Sequence, residues 1–570
     1  MHLLTLATTL SMTASCCAAQ CPDTIDKLNK TLHGRIQRNE PFALPCFSSF
    51  EGQPIARDEN ACAERQANYQ DPLYRHQFPG AYMYDWVPIN LSDSTATDQC
   101  LLDPSNLNNS QAWQGRDCKL GNLPSYYLDV QSEQDVSLVF QHAQKHKLPL
   151  SIKNSGHTME GDSSSPSSLV LWTQHLKKME HHDSFVLDGC DSNEPVQRAI
   201  TTGAGVSCGE VYKFAEQNSA MIVCGYSPSV GISGGWVQNG GHSIVSNVYG
   251  LGVDRVLQFK VVTPDGKTYI ANKCQNTDLF WALRGGGGGT FGVVMESTHQ
   301  VEPAAPISVA AIHVPSTNEA VGKFMDKLVD TAVPLAKAGW GGHIYGNMII
   351  YVNPLFTSQQ DARASIKDIE DFALANGGSS NITVSPTFYS FFQDYVLSTS
   401  YSVGKLTMIG TQLTPVKLFS DESAKADLKS FFYSEIAKGN YPYIPVDSPY
   451  IFQRKDADAT STNPAWYSTL WEVGISASFA WNGTFEERKA AVDGFKQGTK
   501  QLQKVTLGGA AYKNEADPLT PNWREVWYGV HYDRLVSIKE KYDPNKLLKC
   551  WGCIGWTDED ARESSLRAFI

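Results

Sequence analysis

Three glycine-rich segments, all between residues 153 and 294, constrain what this chain can fold into. The first reads KNSGHTMEGDSSS over residues 153–165, and the second reads CGYSPSVGISGGWVQNGGHSIVSNVYGL over residues 224–251. The third reads LRGGGGGTFGVV over residues 283–294. Glycines let backbone N–H groups approach a ligand closely because no side chain obstructs them. We therefore expect loops that hold one large ligand together.

The third segment contains the GxGxxG spacing of a nicotinamide dinucleotide site, at Gly287, Gly289 and Gly292. That fingerprint requires a preceding strand and a following helix. The next residues, 293–298, read VVMEST, which is typical of a strand. The pattern therefore argues against a Rossmann site.

Short strands and helices alternate around the glycine-rich segments. Residues 126–130 and 148–152 read as strands, and the SEQD motif at Ser132 resembles a capping box that opens a helix between them. The SCGE motif at Ser207 predicts a second capped helix. This alternation predicts an α+β domain over about residues 120–305.

The length of the chain, 570 residues, exceeds what one hydrophobic core usually organises, so we expect two domains. A Cys-, Pro- and Asn-rich segment precedes residue 120, and the composition shifts toward aromatic residues over 306–505, which we interpret as a second domain. We interpret most rings of its densest cluster as core packing and some as pocket lining. The cluster comprises Phe388, Tyr389, Phe391, Phe392, Tyr395 and Tyr401.

The net charge of −12 and the lack of a clustered Lys/Arg run argue against a nucleic-acid partner. Residues 1–19 hold a short apolar run followed by small residues, which predicts a secretory signal peptide; the alternative is a buried N-terminal helix. We expect no membrane anchor and a mature chain that begins near Gln20. Glycosylation would suit this route, and N-x-S/T sequons occur at Asn29, Asn90, Asn108, Asn381 and Asn482.

Eleven cysteines follow residue 19, so pairing in an oxidising compartment predicts at least one free thiol. Cys550 and Cys553 form a C-x-x-C motif. A zinc site needs a second such pair or a His pair, which the sequence lacks nearby, so we expect no metal. A structural disulfide is favoured, either within this pair or from it to a distant cysteine.

The motifs KNSGHTMEGDSS, SPSVGISGGWVQNGGHS, YGLGVDRVL and LFWALRGGGGGTFGVV, in this order, resemble the FAD-binding domain of the vanillyl-alcohol oxidase/p-cresol methylhydroxylase superfamily. The terminal HYDRLVSIKEKYDPNKLLKCWGCIG resembles the signature of its berberine-bridge-enzyme-like branch. NPAWYSTLWEV is similar to fungal FAD-linked oxidoreductases of secondary metabolism. The resemblance implies a two-part FAD-binding domain (PCMH type) with an inserted α+β substrate domain. It also implies that residues 506–570 form a C-terminal berberine-bridge-like segment that returns to the FAD-binding domain.

The resemblance also implies cofactor contacts. His157 matches the histidine that bonds covalently to the flavin 8α-methyl group. Doubly linked relatives carry a cysteine before Pro228, where this chain has Ser227, with Cys224 three residues earlier, so a single linkage is implied. Further matched contacts are Gly156, Thr158, Gly161, Ser163, Gly231, Gly234, Gly235, Gly240, Gly241, His242, Asp254, Gly285, Gly286 and Gly287.

By the same resemblance, Val230 occupies the position that admits dioxygen to the reduced flavin, which favours an oxidase over a dehydrogenase. The implied reaction moves a hydride from a small organic substrate, hydrophobic or from secondary metabolism, to FAD, and dioxygen then yields hydrogen peroxide. Tyr528 and Glu472 are the candidate bases for the substrate proton. Alternatives are an oxidative cyclase and a binding protein that retains flavin without turnover.

Overall fold

A computed structural model describes residues 21–93, 99–191, 195–398, 403–441, 443–452, 454, 456, 458–562, 564 and 566–569. The predicted signal peptide, residues 1–19, lies outside these residues. Among the helices that are described, none is both long and apolar enough to cross a bilayer.

Two sheets lie in the part of the molecule that contains the three glycine-rich segments, which we call the glycine-rich half. The first is four-stranded and mixed, in the order Ile36–Arg38, Tyr126–Asp129, Leu169–Trp172, Leu150–Lys153. The second is five-stranded and antiparallel, in the order Thr268–Asn272, Val256–Val262, Val293–Gln300, Gln197–Gly203, Met179–Phe185. Two short ladders pair Ala220–Met221 with Glu302–Pro303 and Ser49–Phe50 with Gln53–Pro54.

A third sheet forms the wall opposite the glycine-rich segments. It is seven-stranded and antiparallel, in the order Ser379–Ser385, Ile307–His313, Met348–Asn353, Gly341–Tyr345, Tyr443–Val446, Thr469–Ser478, Thr407–Pro415. Every strand of this sheet lies between residues 307 and 478, within the span predicted for the second domain.

Helices cover the sheets. The longer ones are Cys21–Thr31, Glu59–Ala67, Glu133–His146, Cys208–Gln217, Thr277–Leu283, Asn318–Lys337, Gln359–Ala375, Glu422–Ala437, Phe485–Val505, Trp523–Tyr528 and Tyr532–Tyr542. The shorter ones are Pro72–Arg75, Gly235–Gln238, Ser246–Tyr249, Gly252–Arg255, Phe388–Phe391 and Asp558–Arg562. Helices Asn318–Lys337, Gln359–Ala375 and Glu422–Ala437 share a hydrophobic core with the seven-stranded sheet. The mixture of helices and sheets confirms the α+β prediction.

Local sequence signals account for several of these elements. The Ser132 hydroxyl accepts a hydrogen bond from the Asp135 N–H, and the Asp135 carboxylate accepts one from the Ser132 N–H, so the predicted capping box is present. Ser207 and Glu210 make the same exchange at the next predicted helix. The strand Val293–Gln300 follows the third glycine-rich segment, which confirms that the segment does not open a Rossmann helix.

Five disulfides join described cysteines, in the pairs Cys46–Cys62, Cys100–Cys118, Cys190–Cys274, Cys208–Cys224 and Cys550–Cys553. The C-x-x-C motif therefore closes on itself, which settles the alternative left open by the sequence. Of the eleven cysteines after residue 19, the one that remains for the predicted free thiol is Cys21, whose side chain lies outside the described part of the structure.

Candidate active site

A cavity of about 390 Å³ lies between the three glycine-rich segments and the seven-stranded sheet. The segment 512–515 closes it on a third side. Its walls include these expected cofactor contacts: Gly156, His157, Thr158, Ser163, Ser227, Val230, Gly231, Gly234, Gly235 and His242.

The first glycine-rich segment is anchored before it enters the cavity. The Lys153 ammonium donates hydrogen bonds to the carbonyls of Phe78, Pro79 and Ala81 at 2.7–2.9 Å. Gly156 has a φ of +87°, and a Cβ there would lie 3.0 Å from the Ala81 carbonyl oxygen, so a side chain is excluded. The chain can therefore turn and present the next residue, His157, to the cavity.

His157 is held in one orientation. Its Nε2 is hydrogen-bonded to the Ser229 hydroxyl at 2.7 Å. Burial, with a smaller effect from His76, lowers the pKa of His157 to about 3, so the imidazole is neutral at physiological pH. In the neutral tautomer in which Nε2 donates to Ser229, the lone pair of the other nitrogen, Nδ1, is available for bonding.

The second segment packs against the first so tightly that glycine is required. A Cβ on Gly231 would lie 1.8 Å from the Asn154 side-chain oxygen. Ser227, the residue before Pro228, lines the cavity. Cys224 forms a disulfide with Cys208. No described thiol therefore lines the cavity in this segment.

A buried cluster of titratable residues adjoins the cavity. His242 Nδ1 lies 2.9 Å from the Asp447 carboxylate, and His242 Nε2 lies 3.0 Å from the Glu515 carboxylate. Burial opposes the charged imidazolium, but the hydrogen bonds to these two carboxylates outweigh it and raise the pKa of His242 well above its ordinary value. Burial and then the charge of Glu515 raise the pKa of the neighbouring Glu472 to about 8.

Two family models match parts of the chain that line this cavity. The "FAD binding domain" model matches residues 124–272, and the "Berberine and berberine like" model matches residues 511–550. The FAD-linked oxidoreductase ffsJ of Aspergillus flavipes is 36% identical, over 97% of this chain and 95% of that protein. The VAO-type flavoprotein oxidase VAO615 of Thermothelomyces thermophilus is 31% identical, over 92% of this chain and 88% of that protein.

The chain is a fungal-type, berberine-bridge-enzyme-like member of the vanillyl-alcohol oxidase/p-cresol methylhydroxylase family.

Solved structures agree with this assignment. The crystal structure of VAO-type flavoprotein MtVAO615 from Myceliophthora thermophila C1 superposes with a TM-score of 0.82 at 28% identity, covering 94% of this chain and 95% of that one. Glucooligosaccharide oxidase from Acremonium strictum, described as carrying a 6-S-cysteinyl, 8α-N1-histidyl FAD, has a TM-score of 0.62 at 20% identity. It covers 76% of this chain and 92% of its own, and it shares the fold. The chain is thus an FAD-linked oxidoreductase, and the glycine-lined cavity beside His157 fits that cofactor.

Several expected cofactor contacts of this FAD-linked oxidoreductase lie away from the cavity. They are Gly161, Gly240, Gly241, Asp254, Gly285, Gly286 and Gly287. Asp254 instead forms an ion pair with Arg454 at 2.9 Å and accepts hydrogen bonds from Tyr467. A Cβ on Gly285 would lie 2.1 Å from the backbone nitrogen of Thr462, so this glycine is needed for packing. In the third segment it is Gly288, Gly289 and Gly292 that line the cavity.

The two candidate bases of the oxidoreductase do not line the cavity. The Tyr528 hydroxyl donates to the Gly552 carbonyl at 3.0 Å, and burial raises the pKa of this phenol. Glu472 accepts a hydrogen bond from Thr411 and lies behind His242 and Glu515. Ile475 and Ser476, which lie further along the same strand, do line the cavity.

The wall contributed by the seven-stranded sheet and its connections carries no charged side chain among the described residues. It consists of Tyr345, Thr407, Ile409, Tyr441, Tyr443, Ile475 and Ser476. The described aromatic cluster near residue 390 is elsewhere: Phe388, Phe391 and Phe392 are buried in the core that the sheet shares with the glycine-rich half. Tyr401 of that cluster lies outside the described residues.

Sequence reasoning missed two carboxylates that line the cavity, Asp162 and Glu515, and also Asn514, the neighbour of Glu515. Asn514 and Glu515 follow Tyr512 in the C-terminal stretch that carries the family resemblance, and Tyr512 also lines the cavity. The adjacent polar residues Asn514 and Glu515, close to Tyr512, were the available signal for a polar site. No local sequence pattern shows that this stretch lies beside His242.

Proposed function

We propose that the chain is a secreted oxidase that holds FAD through one covalent bond to His157 and takes a hydride from a small, uncharged organic substrate. Dioxygen would then accept the electrons and leave as hydrogen peroxide. The observation that carries the proposal is one continuous cavity, which joins His157 and the three glycine-rich segments to an uncharged wall of tyrosine, isoleucine, serine and threonine side chains.

The geometry around His157 supports attachment through Nδ1. Ser229 is hydrogen-bonded to Nε2, and in the neutral tautomer in which Nε2 is the donor the Nδ1 lone pair is available for the bond. The related glucooligosaccharide oxidase is described with an N1-histidyl bond and a second, cysteinyl bond. Ser227 offers no thiol for the second bond, so we expect a single linkage.

Acid precipitation tests this linkage. The flavin of the wild-type protein should stay with the precipitate, whereas the flavin of His157→Ala should remain in the supernatant. His76→Ala is the matched control, because His76 is another buried histidine near His157 that does not line the cavity. Acid-stable flavin in His157→Ala would show that another residue forms the bond.

FAD, when bound, supplies the hydride acceptor. The protein positions the substrate against it and accepts the proton of the substrate O–H or N–H group. The uncharged wall supports a neutral, largely apolar substrate, because an ionised group placed there would lose its hydration without gaining a partner. Val230 lines the cavity, which is compatible with the proposed dioxygen access, although packing alone would also explain it.

The decisive experiment is a peroxide screen. The purified secreted protein is incubated with neutral aromatic and aliphatic alcohols, and hydrogen peroxide is measured. We expect peroxide with at least one alcohol and bleaching of the flavin by the same alcohol without oxygen. If the protein binds flavin but no member of the panel bleaches that flavin, the result would favour the non-catalytic alternative.

A further inference from the structure

The cavity wall contains two described carboxylates, and only one of them has a free oxygen. Asp162 accepts from Thr158 on one oxygen and forms an ion pair with Lys513 at 2.8 Å on the other. Glu515 Oε1 is hydrogen-bonded to His242 Nε2, while Glu515 Oε2 is buried and has no hydrogen-bond partner among the described residues. A buried carboxylate oxygen without a partner is costly, so a donor is expected to meet it.

The cluster around Glu515 determines how its carboxylate is held. Both partners of the His242 ring are carboxylates, which only accept hydrogen bonds, so both ring nitrogens donate and the ring is an imidazolium. The imidazolium therefore donates to Glu515 Oε1 and orients the carboxylate. Glu472 keeps its proton because burial and the charge of Glu515 raise its pKa.

The parts of the cluster come from separate regions of the chain. His242 belongs to the second glycine-rich segment, and Asp447 follows the strand Tyr443–Val446. Asp447 and Glu515 lie 205 and 273 residues from His242 in sequence. The imidazolium is therefore fixed by the sheet on one side and orients Glu515 of the C-terminal segment on the other.

We propose that Glu515 takes the proton of the substrate O–H or N–H group, and that His242, itself held by Asp447, positions the Glu515 carboxylate. The inference rests on the proposed oxidase function. As the C–H bond of the substrate breaks, its electron pair would leave with the hydride to bound FAD, the O–H proton would go to the Glu515 carboxylate, and a C=O bond would form. Dioxygen would then take back the hydride equivalent, two electrons and one proton, and the second proton of hydrogen peroxide would come from Glu515.

Other polar groups of the cavity are less suited to this role. Burial raises the pKa of the Tyr226 phenol to about 12, so it holds its proton at neutral pH. The Tyr512 hydroxyl donates to the Trp236 carbonyl and accepts from Asn514. Asp162 is engaged in an ion pair with Lys513, which does not line the cavity.

Sulfite binding to the flavin of the holoenzyme tests whether Glu515 is an anion beside the reacting atom, and it needs no known substrate. Removing one negative charge within several ångströms should tighten the binding of this anion about ten- to a hundredfold in Glu515→Gln. Asp517→Asn is the matched control, because Asp517 is a buried carboxyl of the same segment, is bonded to Thr499 and does not line the cavity. It should bind sulfite as the wild type does.

The role of His242 is read from a pH profile. The titratable groups around His242 are Asp447, Glu515, Glu472, His343 and Tyr512. Sulfite affinity of the wild type should fall as the pH rises through the raised pKa of His242, because a positive charge near the bound anion is lost, and His242→Gln should abolish that change. A merely structural role for His242 would weaken flavin loading without moving the profile.

Two further measurements complete the test. With an alcohol found in the peroxide screen, Glu515→Gln should slow anaerobic flavin reduction by roughly 10²–10⁴-fold. Unchanged sulfite affinity and unchanged reduction in a flavin-loaded Glu515→Gln protein would overturn the inference and leave the oxidase proposal intact. The ligand atoms of His242, Glu472 and Glu515 lie within 4.8 Å of one another, so one bound divalent metal per chain, lost in Glu472→Gln, would also overturn it.

Discussion

At the residue scale, the most consequential feature is a carboxyl group that is kept protonated. Glu472 is 1% exposed, and only Thr411 donates a hydrogen bond to it among the described contacts. Its burial prevents a third negative charge from joining Asp447 and Glu515 around one imidazolium. Such separation of protonation states between neighbouring acids is typical of enzyme active sites.

We predict that this proton makes stability depend on pH. The pKa of Glu472 is raised from 4.5 to about 8, so the folded state keeps a proton that the unfolded chain loses. The stabilising contribution is fully present below pH 4.5 and is lost as the pH rises through about 8. Glu472→Gln should therefore gain melting temperature relative to the wild type as the pH rises from 5 to 8. A constant difference between the two melting temperatures would contradict this prediction.

Tyr528, one of the two bases suggested by the sequence, can be tested at the same scale. Tyr528→Phe removes a hydroxyl that is bonded to Gly552 and lies away from the cavity, so we expect normal flavin loading and near-normal anaerobic reduction. A loss of roughly 10²–10⁴-fold in the reduction rate would instead restore Tyr528 as the base.

At the element scale, the cofactor loops depend on close backbone packing between segments. Gly231 of the second segment contacts the Asn154 side chain of the first. That side chain also donates to Thr173 and to the Ala204 carbonyl, so it cannot move without losing both hydrogen bonds. The two loops therefore form one rigid floor under the cavity.

We predict that Gly231→Ala disrupts this floor. The added methyl group would lie 1.8 Å from the Asn154 oxygen, and overpacking of this kind costs about 1–3 kcal/mol in the free energy of unfolding. Gly509→Ala is the matched control, because Gly509 does not line the cavity and its methyl group would meet ordinary contacts at 3.7 and 3.9 Å. Thermal unfolding should show a lower melting temperature only for Gly231→Ala, and equal effects of both variants would refute the packing argument.

At the scale of the whole molecule, five disulfides among the described cysteines agree with the proposed secretion, since such bonds persist in oxidising compartments. The sequons differ in their surroundings. Asn108, Asn381 and Asn482 are exposed, whereas Asn29 is half-buried and its side chain makes hydrogen bonds to the Ile36 N–H and carbonyl.

We predict that glycans occupy the exposed sequons in the secreted protein and that Asn29 carries little. A glycan on Asn29 would disturb its bond to Ile36, so chains modified there should fold less stably. Peptide mapping by mass spectrometry measures the occupancy. Asn29→Gln should lower the melting temperature, while Asn482→Gln should only remove a glycan; full occupancy at Asn29 would contradict the prediction.

The sequence by itself determined the features that are encoded within a few residues. The capping boxes at Ser132 and Ser207 and the strand after the third glycine-rich segment follow from short-range hydrogen bonding and side-chain periodicity. The family motifs, which need only local order along the chain, indicated FAD and pointed to His157.

Only the tertiary structure decided which of these residues share one cavity. Gly287 and Gly288 look alike in sequence, yet only Gly288 lines the cavity. His242 meets Asp447 and Glu515 across 205 and 273 residues, a distance that no local pattern reports. Such contacts arise when separate cores pack together and exclude water, which also sets the protonation of the groups they bury.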